Sequence, residues 1–310
     1  MTPIVTLTLN PTVDLSSVAE RVRPIHKVRT HDDRFDPGGG GINVARVVVE
    51  LGGNAEALAL AGGTTGSLLD ELLEREGVPR RLIATAGQTR ISHIIFERES
   101  GLEYRFVPSG EAPSAEELER LVEAAGQVEC RYFVASGSVP TGAPPDILAR
   151  IGRLAAERGA WFVLDSSGVG LTATLGRAPV HLVKPSLSEL ETIAGRELKE
   201  PSAQEEVARE IVQAGHAEMV AVTLGADGAV LATRDRILRK ATPKVETRSA
   251  VGAGDSFLAA MILALWHGEP PEQAFVAGIA AGAAAVLTPG TRLVRRADYE
   301  RIREKLRRAG

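Results

Sequence analysis

The stretch RYFVASGSVPTGAPPDILARIGRLAAERGAWFVLDSSG, residues 131–168, decides the fold. It opens on YFVA, an apolar run too short for a helix and without polar alternation, which reads as a strand buried on both faces. Residues 144–159, PPDILARIGRLAAERG, space their apolar side chains along one helical face, with proline at the start and glycine at the stop. A second buried-strand pattern, WFVLD, follows at once. Strand, helix and strand in that order make a βαβ unit, whose two strands lie parallel in one sheet.

Working outward, the same alternation fills the chain. IVTLTLN (4–10), AEALALAG (55–62), HLVKP (181–185) and MVAVTLG (219–225) read as further buried strands. INVARVVVELGG (42–53), LLDELLEREG (68–77), AEELERLVEAAG (115–126) and SAQEEVAREIVQAG (202–215) read as helices, each ended by glycine. The expectation is an α/β fold, one main domain over 1–310, with a mostly parallel sheet and helices on both faces. Two segments break the rule. Residues around 12–35 and 88–109 carry strand patterns with no helix between neighbours, namely KVRTHDDRF (27–35), ISHIIFERE (91–99) and LEYRFVP (102–108). The last two are joined by SG, a hairpin signal. A small antiparallel flap inserted in the domain is expected, serving as a lid, an oligomer contact or both.

Bulk properties exclude several classes. With 310 residues, 44% hydrophobic and 25% charged, the chain is an ordinary globular protein. A net charge of −4 gives no global field for nucleic acid or an anionic membrane. No stretch reaches the roughly 18 apolar residues of a membrane span, and AFVAGIAAGAAAVLTPG (274–290) reads as a buried helix. The opening MTPIVTLTLNPTVD has neither the basic nor the long apolar region of a signal peptide. One cysteine, Cys130, rules out an internal disulfide and paired-cysteine metal motifs, and a reducing cytoplasm fits. Six scattered histidines do not offer a zinc site.

Four strand ends finish in polar clusters, SGSVP, DSSG, KPSLSE and TLGADG. Ligands bind at the carboxyl ends of parallel strands, so Ser138, Asp165, Lys184, Ser186, Glu189, Thr223 and Gly225 are expected along one rim. In FDPGGGGINVAR (35–46), four glycines lead into a helix, where backbone can approach a ligand and Asn43 can hydrogen-bond a sugar. The stretch lacks the Gly-Lys-Ser/Thr of a Walker loop and the third glycine of the dinucleotide fingerprint. In SAVGAGDSFLAAMILAL (249–265), small residues let the amides of Ala253, Gly254 and Asp255 converge at a helix start, beside a carboxylate able to accept a proton. The motif alone leaves a second reading open, in which Asp255 is simply the helix cap. Lys27 and Arg29, two apart, share one side if they lie in a strand, and Arg90 and Arg105 sit on the flap strands. Convergence of these four cations on a phosphate and plain surface charge are both compatible with the spacing. Glu189 reads either as a Mg²⁺ contact or as a solvated helix residue.

Taken together, TLTLNPTVDL, GGGGINVAR, GGTTG, SGSVPTG, DSSG, LVKPSLSE, TLGADGA, TRSAVGAGDS and PGTRL resemble the ribokinase-like carbohydrate kinases of the phosphofructokinase B branch, nearly end to end. Within that branch the chain is similar to the group of bacterial minor-isozyme 6-phosphofructokinases. The resemblance implies that Asp255 deprotonates the acceptor hydroxyl, with Gly252, Ala253 and Gly254 forming an anion hole. It implies that Asp14, Gly39, Gly40, Asn43 and Ser138 hold the sugar and that Lys27, Arg29, Arg90 and Arg105 surround its phosphate. Lys184, Ser186 and the turn Thr223, Leu224, Gly225, Ala226, Asp227 and Gly228 would line the ATP side, with Glu189 toward Mg²⁺. Ser249, Val251, Ala285, Thr288, Gly290 and Arg292 match a monovalent cation site, K⁺ in kind. The flap would be a β-lid shared across a homodimer.

The implied reaction is ATP-dependent phosphorylation of fructose 6-phosphate at its 1-hydroxyl. Kinases for fructose 1-phosphate, tagatose 6-phosphate or an unphosphorylated sugar are alternatives, as is a non-catalytic sugar-phosphate sensor. Relatives acting on fructose 1-phosphate tend to carry lysine where Gly40 stands, which favours fructose 6-phosphate. Three departures stand out. Ser186 replaces a family asparagine, Thr288-Pro289 replaces Asn-Gln, and Arg23 stands where an aromatic would stack a second nucleotide.

Overall fold

The computed structural model describes residues 3–308. Nine strands form the main sheet: β1 (Ile4–Thr8), β4 (Ala55–Gly62), β5 (Arg80–Thr85), β8 (Tyr132–Ser136), β9 (Trp161–Asp165), β10 (Leu182–Val183), β11 (Met219–Thr223), β12 (Ala229–Ala232) and β13 (Ile237–Lys240). Their spatial order is β13-β12-β11-β10-β9-β8-β1-β4-β5. All neighbours are parallel except the β11·β12 and β12·β13 pairs at one edge. The sequence reading missed β5, β12 and β13. Each is short, and β12 and β13 follow a turn without the intervening helix that made the others legible.

Alternation divides the core into two layers. Ile4, Val134, Val163, Leu182 and Ala221 pack toward α1 (Gly40–Glu50), α2 (Gly63–Arg75), α8 (Ala253–Trp266), α9 (Pro271–Ala285) and α10 (Arg296–Arg308). Val5, Leu7, Phe133, Leu164, Val183 and Val220 pack toward α3 (Ala115–Gly126), α4 (Ile147–Glu157), α6 (Leu187–Ala194) and α7 (Pro201–Gln213) on the other side. The short α5 (Gly168–Thr172) follows β9. Helices α8 and α9 are apolar nearly all round and buried, the composition of helices enclosed on every side. Residues 274–285 of the run read as a buried helix lie in α9. Among the described residues no helix is long and apolar enough to cross a membrane.

The four remaining strands stand apart in the order β3-β2-β6-β7: β2 (Thr12–Ala19), β3 (Thr30–Gly38), β6 (Arg90–Glu97) and β7 (Glu103–Phe106). Two antiparallel hairpins, β2·β3 and β6·β7, meet along a parallel β2·β6 seam. The Ser-Gly turn joins β6 to β7, with Gly101 at φ 70. Strand β3 starts at Thr30, so Lys27 and Arg29 lie in the exposed connection before it. The expectation that strand alternation aligns these two cations is therefore wrong. Their spacing carries no facing information in a loop.

Between β1 and β8 the strand order reverses direction. From β1 the chain proceeds outward to β4 and β5, then returns to β8 and continues through β9, β10 and β11 on the other side. A crevice opens at the carboxyl ends of strands at such a switch point.

Candidate active site

Backbone packing builds the crevice first. The glycine run crosses the ends of β1 and β8, and a Cβ on Gly40 would stand 2.3 Å from Ser136 Oγ and 2.8 Å from the Gly137 backbone nitrogen. Only glycine fits there, because the obstacle includes backbone that cannot turn aside. Gly39 caps α1 at φ 108, and the Ile42 amide donates to Thr8 Oγ1 at 2.9 Å. Helix α1 is thereby pinned to β1, with Asn43 one turn from the crevice.

From the other side comes α8. Its cap is Gly252, at φ 70, and a Cβ there would lie 2.2 Å from Leu293. Asp255 is the third helical residue, so the plain reading of it as the cap does not hold. The Ser256 amide is bonded to the Gly252 carbonyl at 2.8 Å, while the amides of Ala253, Gly254 and Asp255 precede the first helical bond. Those three amides carry the positive end of the helix dipole.

Asp255 Oδ2 accepts from Asn43 Nδ2 at 2.8 Å. Burial pushes the Asp255 carboxyl up from the ordinary carboxylate range, helped by the negative charges of Asp165 and Asp14, while Asn43 and Lys184 oppose the rise. Lys184 is buried and pairs with Asp165 Oδ1 at 3.0 Å. Burial works against its charge, but Asp165, Asp255 and Glu189 more than offset that and hold its pKa above the usual lysine value. Ser136 Oγ donates to Asp165 Oδ2 at 3.1 Å. Asp14, buried on β2, has its carboxyl raised to about 6 by burial and by Asp36, against the pull of Arg46, Thr12 and Arg90. Asp14, Asn43, Lys184, Asp255 and the glycine run thus gather in one place.

The lid cations are placed differently from one another. The seam pairs Thr12 with Arg90, Asp14 with Ser92 and Ser16 with Ile94, and Ile94 in turn pairs with Arg105. Arg90, Asp14 and Arg105 therefore share one face of the small sheet, a point that the strand patterns alone left open. Arg105 lies two rows farther along than Arg90, about 13 Å of strand. Arg90 donates to three neutral carbonyls, those of Asn10, Pro11 and Pro108, at 2.8–3.4 Å. Burial lowers its pKa, and no carboxylate pairs with it among the described residues. Arg105 is exposed and paired with Glu103 at 2.7 Å. Ser138 is exposed, with its hydroxyl 3.5 Å from Asn10 Nδ2.

Farther along the rim, Ser186 caps α6 and forms a capping box with Glu189. Its amide and hydroxyl both reach Glu189 Oε2, at 2.7 and 2.9 Å, and the Glu189 amide returns to Ser186 Oγ at 3.3 Å. The pattern Ser-x-x-Glu was visible in the sequence, yet neither reading of Glu189 included it. Ser186 bridges to Thr223, and the turn that follows closes when Leu224 donates to the Gly228 carbonyl at 2.9 Å.

Beside the start of α8, the buried Thr288 hydroxyl lies among three backbone carbonyls, those of Ala285 at 2.8 Å, Leu293 at 3.1 Å and Arg292. Ser249 Oγ donates to Glu103 Oε2 at 3.0 Å, tying this corner to β7. Thr291 Oγ1 donates to Asp36 Oδ2 at 2.6 Å and lies 3.1 Å from Ser16 Oγ. Three hydrogen bonds thus join the small sheet to these loops.

Three site residues escaped the reading: Ser136, Thr8 and Arg46. Arg46 was the most accessible of them, as a lone arginine on the inward face of INVARVVVELGG, one turn from Asn43.

Comparison with known proteins adds to this geometry. The profile of the pfkB family carbohydrate kinases matches residues 5–297. ATP-dependent 6-phosphofructokinase isozyme 2 of Mycobacterium tuberculosis is 41% identical over 303 residues, 97% of this chain and 89% of that protein. The enzyme of the same name from Escherichia coli is 39% identical over 97% of this chain and 98% of its own. Crystal structures of Escherichia coli phosphofructokinase-2 with potassium (TM-score 0.95, 38% identity) and with fructose 6-phosphate (0.94, 37%) each cover 99% of this chain and 100% of theirs. A tetrameric inhibited form of that protein superposes with a TM-score of 0.94 at 37% identity, over the same shares of the two chains.

Proposed function

The chain belongs to the pfkB carbohydrate kinase family, and from that membership we propose that it transfers the γ-phosphoryl group of ATP to the 1-hydroxyl of fructose 6-phosphate. One observation carries the reading. A carboxylate of raised basicity stands in the first turn of α8, beside three amides with no helical acceptor, and it is bonded to Asn43 of the helix that follows the glycine run.

In this reading Asp255 accepts the proton of the sugar's 1-hydroxyl as that oxygen attacks the γ-phosphorus. The amides of α8 and the Lys184 ammonium meet the charge on the transferring group. Asp14, Asn43 and the Gly39–Gly40 backbone orient the sugar, a positioning that itself removes much of the barrier. Arg90, which makes no ion pair among the described residues although the Asp14 charge acts on it, takes the 6-phosphate. Arg105 joins it by exchanging Glu103 for the phosphate, and Lys27, Arg29 and Ser138 reach in from the exposed rim. Lys184, Ser186 and the Thr223–Gly228 turn hold the nucleotide. Closure of the small sheet as a lid over 12–35 and 88–109 excludes water.

Mg²⁺ fits the site in a limited way. Among the described residues no three His, Cys, Asp or Glu side chains cluster to hold a metal, so the ion would rest on the ATP phosphates with Glu189 as the protein's contact. Bound there, it would neutralise phosphate charge. The oxygens of Ala285, Thr288 and Arg292, with those of Ser249, Val251 and Gly290 close by, suit a hard monovalent cation, which would steady the loop before α8. A second copy of the chain would cover the outer face of the lid, where Phe35 and Phe106 are 44% and 53% exposed in one row with Leu15 and His93. A kinase drawing on ATP and sugar phosphates works in the cytoplasm.

ADP release with Mg-ATP and K⁺ across fructose 6-phosphate, fructose 1-phosphate, tagatose 6-phosphate, fructose and ribose tests the substrate. A clear preference for fructose 6-phosphate is expected. Preference for another sugar would replace the substrate, and silence on all five would leave only a binding protein.

A further inference from the structure

Asn43 can present either end of its amide to Asp255, and only one end is useful. If the NH₂ faces the carboxylate it donates; if the carbonyl oxygen faces it, two acceptors oppose each other. The choice is made on the far side of the amide. Arg46, one turn along α1 and buried, lies with Nη1 3.2 Å from Asn43 Oδ1. A guanidinium has five donors and no acceptor, so only the oxygen of Asn43 can face it. The NH₂ is thereby left for Asp255, where it is found at 2.8 Å.

The guanidinium itself cannot turn. Nε and Nη2 grip both oxygens of Glu76, at 2.6 and 2.8 Å, and Nη1 also donates to the Pro37 carbonyl at 2.7 Å. Glu76 lies immediately after α2, so the chain of contacts runs from the end of one helix through α1 to the first turn of α8. Asp36 adds a weaker pull at 3.8 Å.

We propose that Arg46 is a positioning residue for phosphoryl transfer: held by Glu76 and Pro37, it fixes the Asn43 amide in the orientation that donates to Asp255. This rests on the reading of Asp255 as the base. Without Arg46 the amide is free to flip, and Asp255 loses a donor while gaining a facing acceptor in part of the population. Asp165 from β9 and Lys184 after β10 stay as they are, whereas Asp14 on β2 also loses the direct pull of the guanidinium on its carboxyl. Asp255 then binds its proton more tightly, and activity is lost on the acid side.

The test is the pH profile of kcat/KM for wild type, Arg46→Met, Glu76→Gln, Asn43→Ala and the Arg46→Met/Asn43→Ala double variant. Thermal unfolding is measured in parallel. The acid limb should move alkaline by about one pH unit in Arg46→Met and in Asn43→Ala, and by less in Glu76→Gln. Part of the Arg46→Met shift comes from the direct field of the guanidinium on Asp14, so the share that acts through the amide is the amount by which that shift shrinks once Asn43 is alanine, and it should be the larger share. Stability loss with an unmoved acid limb, or shifts that add in the double variant, would overturn the proposal. If Arg46→Met does not fold, Glu76→Gln, altered at a half-buried surface carboxylate, decides it alone: an unmoved limb there counts against. A wild type without sugar-kinase activity would sink the reading of the base instead, so the two failures are distinguishable.

Discussion

Asp14 and Asp255 carry the same chemical group, and burial raises the pKa of both, so each is a site where stability is given up for function. For Asp14 the consequence can be worked through. Its folded pKa, about 6, lies above the ordinary 3.8. Its contribution to stability is therefore fully present below about 3.8 and lost as pH rises through about 6. Asp14→Asn should leave thermal stability unchanged near pH 3.5, yet raise it at pH 8 by up to about 2–3 kcal/mol. Sugar-phosphate affinity should fall in the same variant. Equal stabilisation at both pH values would show that the carboxyl is not strained by burial. At this scale the sequence was informative where a residue sits in a motif and uninformative where partners come from afar. Asp255 and Asn43 were legible, whereas the Lys184–Asp165 pair joins positions 19 residues apart in sequence through strand order. That Arg90 and Arg105 share a face depends on the register of two strand pairings, which no single strand encodes.

Helix starts do much of the site's work, and each has its own sequence logic. For α6 it is the capping box, so Ser186→Ala should cost about 1 kcal/mol of stability, while Ser186→Asn, another good cap, should cost little. Chemical unfolding of both variants checks this. An unchanged stability in Ser186→Ala would mean that the box contributes nothing. For α8 the start is a glycine in the left-handed region with a leucine against it. Gly252→Ala combines an unfavourable φ with an atom 2.2 Å from Leu293, and it should lower stability by about 1–3 kcal/mol and kcat more than tenfold. Full activity in this variant would exclude the α8 amides from the reaction. Helices α1, α2, α3, α4 and α7 were readable because each pattern has a helical period ended by glycine, whereas α8 and α9 were readable only as apolar runs. The edge hairpin β12·β13 was not, since four-residue strands after a turn have too little pattern to separate from loop.

For the whole molecule, the strand order sets the location of chemistry. The βαβ alternation predicted the parallel sheet and its two covered faces, and the reversal between β1 and β8 follows once that order is known. What alternation could not supply is how the small sheet attaches. Hydrogen bonds from Ser249 to Glu103 and from Thr291 to Asp36 do this, across 146 and 255 positions in sequence. The outer face of that sheet leaves Phe35 and Phe106 half-exposed in one row. If a second copy covers that face, as proposed, Phe106→Glu should lower the mass seen in light scattering, with the fold intact by circular dichroism. An unchanged mass would place the subunit contact elsewhere. The most direct test of the central claim is the turnover of Asp255→Asn beside wild type, with fructose 6-phosphate and Mg-ATP at saturation and both affinities measured independently. The account predicts kcat lower by about 10²–10⁴-fold with fructose 6-phosphate and ATP still bound. Turnover within a few-fold of wild type would contradict it, because the carboxylate in the first turn of α8 would then not be the base.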